Sequence, residues 1–163
     1  MPKPPSSKVL SIQQAAQWAR AAHRRGLRIV ATNGCFDLLH FGHVQYLQRA
    51  AGLGDRLVVG LNSDRSVRRL KGPQRPLVPQ KQRAGILAAL ACVDAVVIFP
   101  QTRAARFLEA VRPEIYVKGG DYRLSTLDAQ ERELLAKLKT GIRILPLVRG
   151  LSTTRLLEKI KQG

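Results

Sequence analysis

Two hydrophobic periods alternate along the chain. Ile12, Ala15, Ala16, Trp18, Ala19 and Ala22 recur at helical spacing, with Ser11 placed to cap that helix and Gly26 to end it. Short runs that are apolar nearly throughout predict five strands, over 28–33, 56–61, 94–99, 115–118 and 142–145. Between them the pattern predicts helices over 42–51, from Ser63 or Asp64 to Leu70, and over 79–91, 102–111, 128–139 and 152–160. Asp128 and Ser152 are placed as N-caps of the last two. Fully apolar strands separated by helices imply the α/β class: a doubly wound parallel five-stranded sheet with helices on both faces. Such sheets bind ligands at the carboxyl ends of their strands, where the strand order switches. The polar or glycine-bearing loops Asn33–His43, Asn62–Asp64, Gly119–Tyr122 and Gly150–Thr154 are therefore expected to converge.

Composition narrows this picture. A chain of 163 residues with 45% hydrophobic positions suits one folded domain, here residues 11–163 behind a disordered tail over 1–10. No apolar run approaches the roughly 20 residues that span a bilayer, and the first residues lack the apolar stretch of a secretory signal. Cys35 and Cys92 are far apart and form no CxxC pair, so neither a disulfide framework nor a protein-held metal is expected, and the cytoplasm is the expected compartment. The formal charge of +17 attracts anions. The basic residues are spread out and aromatics are only 5%, which disfavours nucleic acid as the main partner. A basic nucleic-acid-binding protein on a nucleotide-binding fold stays as the alternative from a different class.

The chemistry concentrates in one turn. Two of the three histidines, His40 and His43, flank Phe41-Gly42 directly after the first predicted strand and at the start of a helix. A helix N-terminus offers unpaired N–H groups and partial positive charge, which suits phosphate. Imidazoles there can donate to phosphate oxygens, and Gly42 lets the backbone approach the ligand.

That segment resembles the signature of the cytidylyltransferase-like nucleotidyltransferases, in which an HxGH element holds the triphosphate. Leu151-Ser152-Thr153-Thr154 resembles the second signature of that superfamily, again opening a helix. The likeness covers residues 28–161 and implies a Rossmann-like sheet. Within the superfamily, 55–76, 87–98 and Val117-Lys118-Gly119-Gly120-Asp121-Tyr122 are most similar to the adenylyltransferases acting on D-glycero-D-manno-heptose 1-phosphate, here as a stand-alone version without a kinase domain.

The resemblance implies transfer of AMP from ATP to a sugar 1-phosphate, giving an ADP-sugar and pyrophosphate, as in lipopolysaccharide heptose-precursor synthesis. His40, His43 and Lys71 would be catalytic. Thr32, Asn33, Gly34, Phe36, Gly42, Lys118, Gly120, Asp121, Ser152 and Thr153 would join the two histidines in binding the nucleotide. Asp37, Asn62, Asp64 and Arg83 would serve the acceptor. Mg²⁺ would come bound to the ATP substrate, with no carboxylate cage of its own. A cytidylyltransferase acting on glycerol 3-phosphate or a related alcohol phosphate keeps the chemistry and changes the substrates. A homodimer is compatible with the resemblance, although no interface is legible.

Overall fold

The structure is a computed structural model that describes residues 4–120, 127–146 and 153–162. Among these, six parallel strands form one sheet: β1 (Val9–Leu10), β2 (Ile29–Gly34), β3 (Arg56–Asn62), β4 (Ala95–Phe99), β5 (Ile115–Gly119) and β6 (Gly141–Leu145). Their spatial order is β1-β4-β3-β2-β5-β6. From β2 the chain steps outward through β3 to β4, then returns to place β5 on the other side of β2. The order therefore switches between β2 and β5, and a crevice is expected above their carboxyl ends.

The helices are α1 (Ile12–Arg24), α2 (Phe41–Ala51), α3 (Asp64–Lys71), α4 (Gln80–Ala89), α5 (Ala105–Val111), α6 (Ala129–Lys137) and α7 (Thr153–Gln162). Strand alternation divides the core between them. Ile29, Ala31, Val58 and Tyr116 face α1, α5 and α6 through Ala15, Ala19, Phe107, Leu108 and Leu135. Val30, Leu57, Val59 and Val117 face α2 and α4 through Tyr46, Leu47, Ala84 and Leu87. Each fully buried Leu or Phe in these layers stabilises the fold by about 2 kcal/mol through apolar area removed from water. Gly60 in the middle of β3 permits one close approach: a Cβ there would lie 2.8 Å from the Phe107 ring.

Local signals account for several boundaries. Ser11 and Gln14 form a reciprocal capping box at α1 (Gln14 N–H to Ser11 Oγ, 3.2 Å; Ser11 N–H to Gln14 Oε1, 2.8 Å), an arrangement of about 1 kcal/mol. Ser63 caps α3, and the Asp128 carboxylate caps α6 through the N–H groups of Gln130 and Glu131. Gly26 adopts a positive φ of 70° after α1.

Three expectations need correction. The sheet has six strands, because Val9–Leu10 pairs with Val96–Val97 of β4. Two residues are too short to show a period, and only the sheet edge makes them a strand. For the same reason the expected disordered tail over 1–10 does not hold for its described part: Pro5–Lys8 forms a 3-10 turn, and Lys8 Nζ donates to the carbonyls of Leu90 and Val93. Lastly, the helix expected from Thr102 begins at Ala105. Its cap comes from elsewhere in the chain, since the Glu131 carboxylate accepts the Ala104 N–H at 2.7 Å.

Candidate functional site

A cleft of about 480 Å³ opens at the carboxyl ends of the strands, on the switch between β2 and β5. Of the residues assigned from sequence, Asn33, Gly34, Phe36, Asp37, His43, Asn62, Lys71, Lys118 and Thr153 line it. Asp121 and Ser152 lie outside the described residues.

The wall on the α2 side is built from the β2–α2 loop. Phe36 and Leu38 hold positive φ angles of 45° and 52°, a conformation that costs a non-glycine residue roughly 1 kcal/mol or more. Long-range ties keep them there. The buried Asp37 carboxylate accepts the N–H groups of Leu77 (2.9 Å) and Val78 (3.0 Å) and pairs with Arg75 at 2.9 Å. Thr153 Oγ1, opening α7, donates to the Asp37 carbonyl at 2.9 Å. Arg83 donates to the carbonyls of Cys35, Asn62 and Val78 and to the Asp64 carboxylate.

This geometry gives protein partners to residues read from the sequence as ligand groups. The resemblance implies acceptor contacts for Arg83 and Asp64. Arg83 is only 1% exposed, its guanidinium is spent on protein partners, and Asp64 is its counter-ion. They hold the wall and do not line the cleft. Asp37 does line it, but its oxygens are engaged by the 75–78 segment, so it orients the loop. A similar shift applies to Thr32, which is buried with its hydroxyl on Tyr46 Oη (2.8 Å), while Tyr46 donates onward to the Val117 carbonyl (3.1 Å). Asn62 donates its amide to Ser66 Oγ and the Gln101 carbonyl. Gly42 is buried in the first turn of α2, and Gly120 turns the chain after β5 with φ 70°.

His40 stands at the N-cap of α2, and its ring stacks on that of His43 with centroids 3.9 Å apart. His43 Nδ1 accepts the His40 backbone N–H at 3.3 Å. A neutral imidazole that accepts at Nδ1 carries its proton on Nε2. Burial, reinforced by His40 and Lys71, pushes the His43 pKa down to about 4. At neutral pH His43 is therefore an uncharged Nε2–H donor beside the unpaired N–H groups of the helix start. Burial also lowers the pKa of His40. Lys71, exposed at the end of α3, brings a flexible positive charge to the same wall.

Between the two walls stand the ends of β2 and β5. Asn33 Oδ1 accepts from both Tyr116 Oη and Lys118 Nζ, the latter at 2.8 Å. A lysine can only donate, so the atom facing it is the amide oxygen and the Asn33 NH₂ points elsewhere. Burial lowers the pKa of Lys118.

The opposite wall went unassigned in the sequence. Thr102 and Arg103 follow β4, while Leu127, Asp128 and Glu131 lead into and lie on α6. Arg103 pairs with Asp128. Nothing in the sequence pattern marks Glu131, one acidic residue in a helix, because its placement depends on how α6 packs against α5.

The comparisons agree with this architecture. Residues 31–159 match the family described as cytidylyltransferase-like. The chain is 48% identical over 158 residues to the bifunctional protein HldE of Citrifermentans bemidjiense, and 52% identical over 137 residues to that of Syntrophotalea carbinolica. These alignments take in 97% and 84% of this chain, but it spans only about a third of the length of those relatives (32% and 28%). Among solved structures, the lipopolysaccharide core biosynthesis protein from Thermoplasma volcanium is similar with a TM-score of 0.60 and 29% identity, over 76% of this chain and 98% of that one. The pantoate-beta-alanine ligase from Francisella tularensis shares the fold, with a TM-score of 0.58 at 17% identity over 94% of this chain and 76% of that one. With the family match spanning most of its length and the His40–His43 turn set at the switch of a parallel sheet, the chain belongs to the cytidylyltransferase-like family.

Proposed function

We propose that this chain transfers AMP from ATP to a sugar 1-phosphate, D-glycero-D-manno-heptose 1-phosphate, releasing pyrophosphate and forming ADP-heptose for lipopolysaccharide synthesis. The observation that carries the reaction class is the His43 arrangement: a neutral imidazole with Nδ1 tied to the chain and Nε2–H available beside a helix N-terminus. The acceptor rests on the near-50% identity to the HldE proteins and on the similarity to a lipopolysaccharide core biosynthesis protein.

The acceptor phosphate oxygen attacks the α-phosphorus of ATP. A new P–O bond forms as the bond from the α-phosphorus to the bridging oxygen breaks, and pyrophosphate leaves with that electron pair. The nucleophile is already an anion, so positioning and neutralisation of charge supply the catalysis. His43, Lys71 and the N–H groups opening α2 hold the triphosphate and the departing pyrophosphate. His40 shapes that turn through its stack on His43, and Lys118 with Asn33 stands where the α-phosphate passes between the walls. The cleft carboxylates are already engaged: Asp37 by the 75–78 segment, Asp128 by Arg103 and the first turn of α6, and Glu131 in part by Ala104. Mg²⁺ therefore arrives as part of the MgATP substrate. The same reading sets the reaction in the cytoplasm, in keeping with two free thiols, Cys35 and Cys92.

The test is pyrophosphate release with heptose 1-phosphate and either ATP or CTP. Turnover with ATP is expected. Turnover with CTP alone would sink the adenylyl assignment, and turnover of glycerol 3-phosphate in place of the heptose phosphate would sink the acceptor.

A further inference from the structure

The proposed reaction constrains where its second substrate must sit. In a direct displacement at phosphorus, the entering and leaving oxygens lie roughly in line on opposite sides of the reacting centre. The leaving pyrophosphate belongs to the α2 wall, with His43 and Lys71. The α-phosphorus then lies over the strand ends, by Asn33 and Lys118, and the acceptor approaches from the far side. That side is the other face of the sheet, since α2 packs on one core layer and α5 and α6 on the other.

The groups waiting there suit a polyhydroxylated ligand. Glu131 is a carboxylate only 5% exposed, yet it lines the cleft. Its Oε1 accepts the Ala104 N–H, and among the described residues Oε2 has no hydrogen-bond partner. A carboxylate this enclosed is costly unless donors meet it, and Lys118 on the same cleft is the cation that bears on it. In a chain of charge +17 whose cleft serves phosphates, Glu131 is also the wrong sign for a phosphate. Sugar hydroxyls supply the donors it lacks. Thr102, exposed at the rim of the same wall, adds a hydroxyl that can donate or accept.

We propose, resting on the reading of nucleotidyl transfer to a sugar phosphate, that Glu131 with Thr102 forms the subsite that recognises the hydroxyl groups of the acceptor sugar, on the wall facing the triphosphate. Glu131 is a binding and specificity residue in this assignment; it moves no proton and touches no reacting atom.

The test compares the full chain with Glu131→Gln. Glutamine keeps an oxygen for the Ala104 N–H and turns the second position from acceptor to donor. In pyrophosphate-release assays KM for D-glycero-D-manno-heptose 1-phosphate is expected to rise about 10-fold or more, the loss expected on removing a charge-assisted hydrogen bond. KM for ATP should stay within about twofold, since only acceptor binding is weakened. A rise in KM for ATP instead, or no change in either constant, overturns the proposal. If Glu131→Gln does not fold, Thr102→Val carries the same measurement at an exposed position, with the same two overturning outcomes. Calorimetric binding of the heptose phosphate separates this subsite from the underlying reading. If the wild-type protein binds it, Glu131→Gln weakens that binding, and no pyrophosphate is released, the subsite stands and the reaction falls. Turnover that neither variant alters leaves the reaction standing and removes the subsite. If the wild-type protein binds no heptose phosphate at all, the subsite falls.

Discussion

The two walls of the cleft are held by different means. On the α2 side, the β2–α2 loop is tied by Asp37 to the 75–78 segment, by Arg83 to three carbonyls, and by Thr153 to the start of α7. Two residues there keep positive φ angles. On the α5–α6 side, Thr102 and Arg103 are exposed, and the ties are the Glu131 cap on Ala104 and the Arg103–Asp128 pair. In the proposed reaction the heavily tied wall meets the triphosphate, the part common to all nucleotidyl donors. Stabilising charge that develops in a transition state requires dipoles fixed in advance, because reorienting them during the reaction would raise the barrier. On the same proposal the lightly tied wall meets the acceptor, where side chains can change without disturbing that arrangement.

The largest effect should come from the tied wall. His43→Ala is expected to lower kcat by about 100-fold or more, the usual consequence of removing a fixed donor to developing charge, and His40→Ala by a similar factor, by releasing the stack that sets the His43 ring. Near-wild-type turnover in either variant would take that histidine out of the mechanism and erase the contrast between the walls.

Arg83 tests whether the ties themselves matter. Replacing it with methionine keeps the bulk and strands the carbonyls of Cys35, Asn62 and Val78 together with the Asp64 carboxylate. Urea unfolding should register a loss of about 3 kcal/mol, as for breaking a buried hydrogen-bonded ion pair. Turnover under conditions where the variant remains folded should fall as well, because the loop would no longer be held. Full stability would mean that the network is not holding the wall.

The smallest effect is a shift in titration. His43 in the ligand-free protein should titrate near pH 4 by NMR, against an ordinary 6.5. The sign follows from the depressed value. Above pH 6.5 neither folded nor unfolded chain is protonated at His43, and its neutral state adds no penalty. As pH falls from 6.5 towards 4, the unfolded chain takes up a proton that the folded chain refuses, so this contribution to stability is lost across that window and levels off below it. A His43 titration close to 6.5 would show that the wall is more open to solvent than its burial implies.

Much of this was legible in the residues themselves. Strand and helix periods, the Ser11 and Asp128 caps and the two histidines around Phe41-Gly42 depend on neighbours within a few positions, and the structure has the caps and the turn where the pattern puts them. Of the residues assigned to the site, Asn33, Gly34, Asn62 and Lys118 at strand ends and His43 and Thr153 in first helical turns line one cleft, because a parallel sheet brings those ends to one edge. What escaped the sequence lies in contacts between distant positions. Arg83 reads as one of 28 basic residues, and only the fold buries it 48 positions away from the Cys35 carbonyl it holds. Asp37 reads as a ligand group until its carboxylate meets Leu77 and Val78. Glu131 has no signature at all. Its place arises because α6 packs against α5 and sets this side chain on the cleft, and no local pattern encodes which side chains two packed helices bring to the same wall.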